Sequence, residues 1–355
     1  MTSRPKAHVV GLGLIGGSIA LALQLAGWEV TGEDLDSARV DTALSRAIIN
    51  GTDSWNAEVF FVATPAHTVE EVVTTIFREH GNESIVVTDV AGVKEPIVGS
   101  IVDRRFIGGH PMAGSEMKGL DGSRADLFQS ATWVLTPTSQ TPPDTYARLH
   151  SVISSLGAAP LALTAENHDR LVAMASHVPH LVAGALMNEA ARMAESDGAL
   201  LRLAAGGFRD MTRISAGDPA IWPDVLFDNH VAVLNGLDHV IERLSHIRGV
   251  VATQNRDSLL DELTSASVAR RELPGRASVA QDLVIMRVPI DDRPGMLASI
   301  TTLASDLSVN IFDIEIVHGV EGLSGVLELS IEREDVGRLE GALKQSGFHA
   351  SVNLS

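Results

Sequence analysis

Gly11, Gly13 and Gly16 stand in the run HVVGLGLIGGSIALAL as G-x-G-x-x-G, after a strand-like stretch and at the mouth of a helix-like one. At this spacing the first glycine permits a tight turn, the second lets the backbone approach a pyrophosphate, and the third lets helix and strand pack closely. The helix N-terminus adds free N–H groups and a positive dipole. With Leu14 and Ile15 between the last two glycines, this is the expected cofactor cradle. Asp34 ends the second apolar run, 18 residues past Gly16. There a carboxylate accepts hydrogen bonds from the adenosine ribose hydroxyls and repels a 2′-phosphate. No arginine adjoins Asp34 in sequence, Arg39 being five residues on, so NAD is favoured over NADP. The alternative role for Asp34 is a cap on the helix near Ser37. Thr64 and Pro65 follow the third run, at the sheet edge where cofactors bind.

His110 closes the fifth run, flanked by Gly108, Gly109 and Pro111, and points towards the same crevice. An imidazole near neutrality takes a proton from an alcohol as hydride leaves the same carbon. Ser176-His177-Val178-Pro179-His180 puts two histidines at i, i+3 in an apolar helix kinked by Pro179. Further on, GFRDMTRI supplies Arg209, Asp210 and Arg213, with Trp222 close behind. Arginine suits bidentate recognition of a carboxylate, so a small carboxylated substrate is expected. The alternatives are a structural Asp210–Arg213 ion pair, or a metal on His177 and His180. No third ligand lies nearby to complete a metal set, and none is expected.

These groups need a scaffold, and the pattern supplies one. Strand-like runs at His8–Val10, Glu29–Gly32, Val59–Ala63, Ile85–Asp89 and Phe106–Gly109 alternate with amphipathic stretches such as Ser18–Ala26 and Val69–Phe77. This alternation implies a Rossmann-type, doubly wound α/β sheet. Thr132–Leu135 and Pro160–Leu163 extend it as edge strands, with a helix near Tyr146–Leu156. An all-α domain follows, with helices at Leu171–Ala194, Leu200–Ala204, Trp222–Arg248 and Asp257–Ala269. Val231, Leu234, Leu237, Ile241 and Leu244 form a stripe on one helix face, suited to a core or a dimer seam. The last stretch alternates as βαββαβ, a ferredoxin-like order. The expected domains are 1–165 (NAD-binding), 166–270 (helical, substrate-binding and dimerising), a linker 271–282, and 283–355.

Composition narrows the partners. A formal net charge of −18 over 355 residues opposes nucleic-acid or anionic-membrane binding. The absence of cysteine excludes disulfides, thiolate catalysis and cysteine-ligated metals. No uninterrupted apolar run approaches the ~20 residues of a membrane helix, and the start MTSRPKAHVVGLG leaves no room for a signal peptide. A cytoplasmic enzyme is expected.

GLGLIGGSIA, HPMAGSE, SHVPH and GFRDMTRI, followed by Trp222, together resemble the prephenate dehydrogenase family across about residues 7–270. DDRPGMLASITTLASDLSVNIFDIEI resembles an ACT domain. The resemblance implies NAD-linked oxidative decarboxylation of prephenate to 4-hydroxyphenylpyruvate in tyrosine biosynthesis. It makes His110 the catalytic base, Arg213 the carboxylate ligand, Asp210 its ion-pair partner and His180 a substrate-side histidine. His177 and Ser115 line the pocket, Glu116 gates it and Trp222 packs nearby. It also implies a homodimer through the helical domain. One position departs: where the family's D-x-x-S-V-K motif has serine, this chain has Gly92 in Asp89-Val90-Ala91-Gly92-Val93-Lys94. In the ACT-like segment, Asp291, Arg293, Pro294, Gly295, Asn310 and Ile311 are the expected ligand positions, with tyrosine or another aromatic amino acid as effector. Three rivals stand beside this reading: arogenate as substrate, another NAD-linked β-hydroxy acid dehydrogenase, and a non-catalytic amino-acid sensor.

Overall fold

The computed structural model describes residues 4–114, 117, 119–272, 283–291, 293, 296–307, 309–318 and 324–352. The chain divides into two compact units, Met1–His246 and Ile247–Ser355.

The first unit opens with β1 (Lys6–Val10), α1 (Leu14–Leu25), β2 (Glu29–Glu33), α2 (Ser37–Ser45), β3 (Val59–Val62), α3 (Val69–Glu79) and β4 (Val86–Asp89). The four strands pair parallel in the order β2-β1-β3-β4. Alternation along β3 divides the core. Val59 and Phe61 pack on the α1 side, while Phe60 and Val62 pack on the α3 side. A sheet covered on both faces needs such continuously apolar strands. Then come α4 (Glu95–Ser100), β5 (Gly108–Pro111), β6 (Thr132–Thr136), α5 (Pro143–Ser155) and β7 (Ala159–Ala162). The fifth run behaves differently from expectation. Phe106 bridges Val87 in parallel, but strand β5 starts two residues later and runs antiparallel to β6; β5, β6 and β7 form a three-stranded sheet of their own, so the last two do not extend the first sheet as edge strands. His110 therefore lies inside a paired strand, not after one.

A continuous helical run follows: α6 (Ala165–Val172), a π-helical stretch Ala173–His177 and α7 (Val178–Ala194). Pro179 has no N–H to give the preceding turn, and the wider π turn accommodates that loss. By length and composition Ala165–Ala194 could cross a membrane. It buries His168, Asp169 and His177 in polar contacts, and most of its length is exposed or half-buried within the chain. Next are α8 (Leu200–Leu203), α9 (Gly206–Thr212), α10 (Trp222–Asp228) and α11 (His230–Ala252). The single helix expected over Trp222–Arg248 is interrupted at Asn229, whose side chain bonds inward to Asp169 O and His177 Nδ1. On α11, Val233 is buried, and a Cβ on Gly236 would meet Val178 Cγ2 at 2.9 Å. Of the expected stripe, Val231, Leu234, Ile241 and Leu244 are exposed and Leu237 is half-buried, so within one chain most of it is not core.

The second unit contains α12 (Arg256–Arg271), β8 (Leu283–Asp291), α13 (Met296–Asp306), β9 (Ile311–His318), β10 (Ser324–Glu332), α14 (Val336–Gln345) and β11 (Ser351–Val352). Its four strands are ordered β11-β8-β10-β9, all antiparallel. Val284, Met286, Val288 and Ile290 alternate into a core with Ile300, Leu339 and Leu343 from the two helices.

His8 in β1 is buried against Phe60, with Nδ1 2.8 Å from Thr31 Oγ1 and Nε2 without a hydrogen-bond partner among the described residues. Burial, reinforced by His80 and opposed by Asp53, lowers its pKa to about 4. The folded state thus favours neutral His8. The associated stability is complete above the unfolded value near 6.5 and is lost as pH falls towards 4, by up to ~3 kcal/mol. His8→Gln should flatten this acid loss by about 2–3 kcal/mol in denaturant melts compared at pH 7 and pH 4.5; parallel losses in both proteins would contradict it.

Candidate active site

The fingerprint glycines have separate steric reasons. Gly11 has φ +92°, and a Cβ on it would meet Ala63 O at 2.6 Å and Thr64 N at 3.2 Å. The Thr64–Pro65 turn thus abuts the cradle, and Thr68 Oγ1 donates to Thr64 Oγ1 at 2.9 Å. A Cβ on Gly16 would lie 1.8 Å from Gly11 O. Gly13 caps α1, and nothing lies within 4 Å of its would-be Cβ. That bare backbone at a helix N-terminus fits a pyrophosphate. Leu14 and Ile15 form the first turn and pack partly buried on the core.

Asp34 accepts Leu12 N–H at 2.7 Å and Asp36 N–H at 2.9 Å. Arg39 also donates to both its oxygens, at 3.1 and 3.0 Å. The sequence separation suggested no arginine beside Asp34, but the turn into α2 brings Arg39 back onto it. Asp36, not Asp34, caps α2 by accepting Ala38 N–H. Burial raises the Asp34 pKa, yet the N–H groups of Asp36 and Leu12 and the Arg39 guanidinium hold it below the ordinary value. Asp34 therefore stands as an anion at the end of β2.

His110 lines a cleft of about 420 Å³ with Gly92, Met112, Gly114, Val172, His177 and Trp222. Its Nδ1 lies 2.8 Å from His168 Nε2, and His168 Nδ1 lies 2.7 Å from Asp169 Oδ1. Asp169 also accepts Lys94 N–H and Glu95 N–H, each at 2.8 Å. The fully buried Lys94 ammonium pairs with Asp89. Asp89 accepts Gly109 N–H at 3.0 Å and Ala91 N–H at 2.9 Å, tying β4 to the strand that carries His110. Burial pushes the His110 pKa well down, helped by His168, Lys94 and His177, so the free imidazole is neutral. A Cβ on Gly92 would stand 3.9 Å from His110 Nε2. The departing position thus borders His110 Nε2 and leaves space there.

The other expected residues divide. His177 lines the cleft, while His180 stacks on Trp222 with ring centroids 3.7 Å apart. Arg213 and Asp210 are exposed, form no ion pair with each other and do not line the cleft. The turn Arg213–Ala216 packs on α7, the helix carrying His180. Ser115 and Glu116 lie outside the described residues, as do Pro294 and Gly295. Of the remaining effector positions, Arg293 and Asn310 are exposed and Ile311 is half-buried. Sequence reasoning missed His168, Asp169 and Asn229 as site residues. The available signal was a His–Asp pair opening an otherwise apolar helix.

Residues 19–161 match the family model described as prephenate dehydrogenase, nucleotide-binding domain, and residues 164–265 match prephenate dehydrogenase, dimerization domain. The prephenate dehydrogenase of Bacillus subtilis (strain 168) is 30% identical over 341 residues, covering 92% of each chain. The chain belongs to the prephenate dehydrogenase family. Among solved structures of its members, Synechocystis arogenate dehydrogenase is 32% identical with a TM-score of 0.68, covering 76% of this chain and 100% of that one. Aquifex aeolicus prephenate dehydrogenase, in complex with hydroxyphenyl propionate and NAD+, is 28% identical with a TM-score of 0.70, covering 77% and 99%. As a prephenate dehydrogenase family member the chain is an NAD-dependent dehydrogenase.

The two kinds of glycine are separable by experiment. Gly13→Ala meets open space and ordinary backbone angles. It should keep the wild-type melting temperature but weaken NAD⁺ binding by ~10-fold or more, because the methyl occupies the phosphate approach. Gly16→Ala should also cost a few kcal/mol of stability by displacing the Gly11 carbonyl. Calorimetric NAD⁺ titration with parallel melts distinguishes them; unaltered binding by Gly13→Ala would refute the cradle.

Proposed function

We propose that this protein catalyses the oxidative decarboxylation of prephenate to 4-hydroxyphenylpyruvate, a step of tyrosine biosynthesis. The observation that carries the reading is the neutral His110 imidazole, with Nδ1 engaged and Nε2 beside the cleft. Bound NAD⁺ supplies the hydride acceptor. His110 Nε2 takes the ring hydroxyl proton as the C–H bond on the same carbon breaks with its electron pair. The C–C bond to the ring carboxylate then breaks, CO₂ leaves, and its electron pair aromatises the ring while the ring oxygen regains a proton. Arg213, on the turn packed against α7, holds a substrate carboxylate. His180 on Trp222, together with His177 and Ser115, shapes the pocket, and Glu116 gates it. The same residues suit arogenate, the substrate named for the Synechocystis relative.

We read residues 1–165 as the NAD-binding domain, 166–270 as the helical substrate domain, 271–282 as linker and 283–355 as an ACT-like regulatory module. The exposed stripe Val231, Leu234, Ile241 and Leu244 supports a homodimer through the helical domain. The βαββαβ order and the sheet order β11-β8-β10-β9 support the ACT-like reading. We assign the reaction to the cytoplasm.

Purified protein given prephenate or arogenate, each with NAD⁺ and NADP⁺, should form NADH fastest with prephenate and NAD⁺. No reduction with either substrate would overturn the assignment. His110→Asn should lower kcat by ~10²–10⁴ with little change in KM. Arg213→Ala should raise KM by ~10- to 100-fold, the worth of a charged hydrogen bond. The reverse pattern would exchange the roles. Tyrosine should bind the full chain in calorimetry and not a chain lacking 283–355; binding that survives the deletion would sink the regulatory reading.

A further inference from the structure

The hydrogen bonds behind His110 have a polarity that can be read from one end. The Asp169 carboxylate only accepts, and it already takes two backbone N–H groups from Lys94 and Glu95. His168 Nδ1 must therefore donate to Asp169 Oδ1. A neutral imidazole that donates from Nδ1 accepts at Nε2. His110 Nδ1 must then be the donor across the 2.8 Å contact with His168 Nε2. This leaves a lone pair on His110 Nε2, the atom beside Gly92 and the cleft.

We propose that His168 and Asp169 are positioning residues that hold His110 in its Nδ1-protonated tautomer and take up the proton abstracted from substrate along the His110–His168–Asp169 chain. As His110 Nε2 gains the hydroxyl proton, its Nδ1 proton passes to His168 Nε2, and the His168 Nδ1 proton moves towards Asp169 Oδ1. One proton enters at Nε2, none leaves the chain, and the positive charge comes to lie on His168 against the carboxylate. The return sequence restores the resting tautomer and delivers the proton back to the cleft.

The surroundings suit such a store. His168 and Asp169 are buried, and Asn229 Nδ2 holds both the Asp169 carbonyl and His177 Nδ1. The charged and titratable groups facing His110 are His168, Lys94 and His177, all of which disfavour an imidazolium there. The Lys94 ammonium is committed to Asp89. Asp169 is thus the carboxylate that reaches His110 through a single ring.

This inference rests on the dehydrogenase reading of the cleft, but its first test does not need substrate. In ¹⁵N-labelled protein without ligands, His110 should show Nδ1–H and a bare Nε2. In turnover, Asp169→Asn and His168→Gln should lower kcat ~100-fold or more, with KM within threefold. Because the anion favours protonated His110, the acid limb of the kcat profile should move to lower pH in Asp169→Asn. Asp169→Glu should recover part of the rate. Since Asp169 also holds the start of α4, His168→Gln is the variant that leaves those backbone bonds intact. A wild-type Nε2–H tautomer, kcat retained within twofold in His168→Gln, or a rate loss with an unmoved acid limb would each overturn the proposal. If the wild type reduces no NAD⁺ with prephenate or arogenate while the tautomers are as stated, the substrate reading fails and the positioning chain stands.

Discussion

The Asp169 carboxylate, on α6, is buried against the start of α4 and accepts bonds from that start and from His168. Lys94 and Glu95 N–H anchor the start of α4, His168 Nδ1–H leads to the His110 imidazole, and Asn229 holds the Asp169 carbonyl from the helical side. An isolated carboxylate so placed would cost several kcal/mol in lost hydration, which only a complete set of donors offsets. The nucleotide-binding portion and the helix that closes the cleft are therefore joined at a group that tolerates little slack. Asp89 repeats the device one strand away, where Lys94 and two backbone N–H groups satisfy it. His110 stands between these two anchored anions.

At the other end of the sheet's function, the cofactor cradle depends on exclusion. Gly11 and Gly16 are required because backbone carbonyls occupy the space a side chain would take, whereas Gly13 is bare towards open space. Steric necessity thus shapes the turn at Gly11 and Gly16. Asp34 is already held by two N–H groups and Arg39, so its anion has a fixed orientation. Preorganisation of this kind lowers the ordering cost of binding.

The sequence reached the alternating strands and helices, the glycine cradle, Asp34 and His110, because these depend on local periodicity and on residues close along the chain. The boundaries slipped where tertiary pairing intervened. β5 moved past Phe106 because Gly108–Pro111 pairs with β6, and the Trp222–Arg248 helix breaks where Asn229 turns inward. The α11 stripe was legible as apolar but not as exposed, since a helix pattern alone does not say which face meets its own chain.

Residue types and spacing by themselves determined a dinucleotide fold, an acidic anchor at the end of its second strand and a histidine at the crevice. They did so because turn sterics and strand–helix alternation are written in neighbouring residues. Tertiary structure alone decided that Arg39 bonds Asp34, that His168 and Asp169 stand behind His110, and that Gly92 borders His110 Nε2. The His110–His168 contact spans 58 positions, and that from Asp169 to Lys94 spans 75. Contacts at such separations arise from packing two layers against each other, a relation that no local pattern encodes.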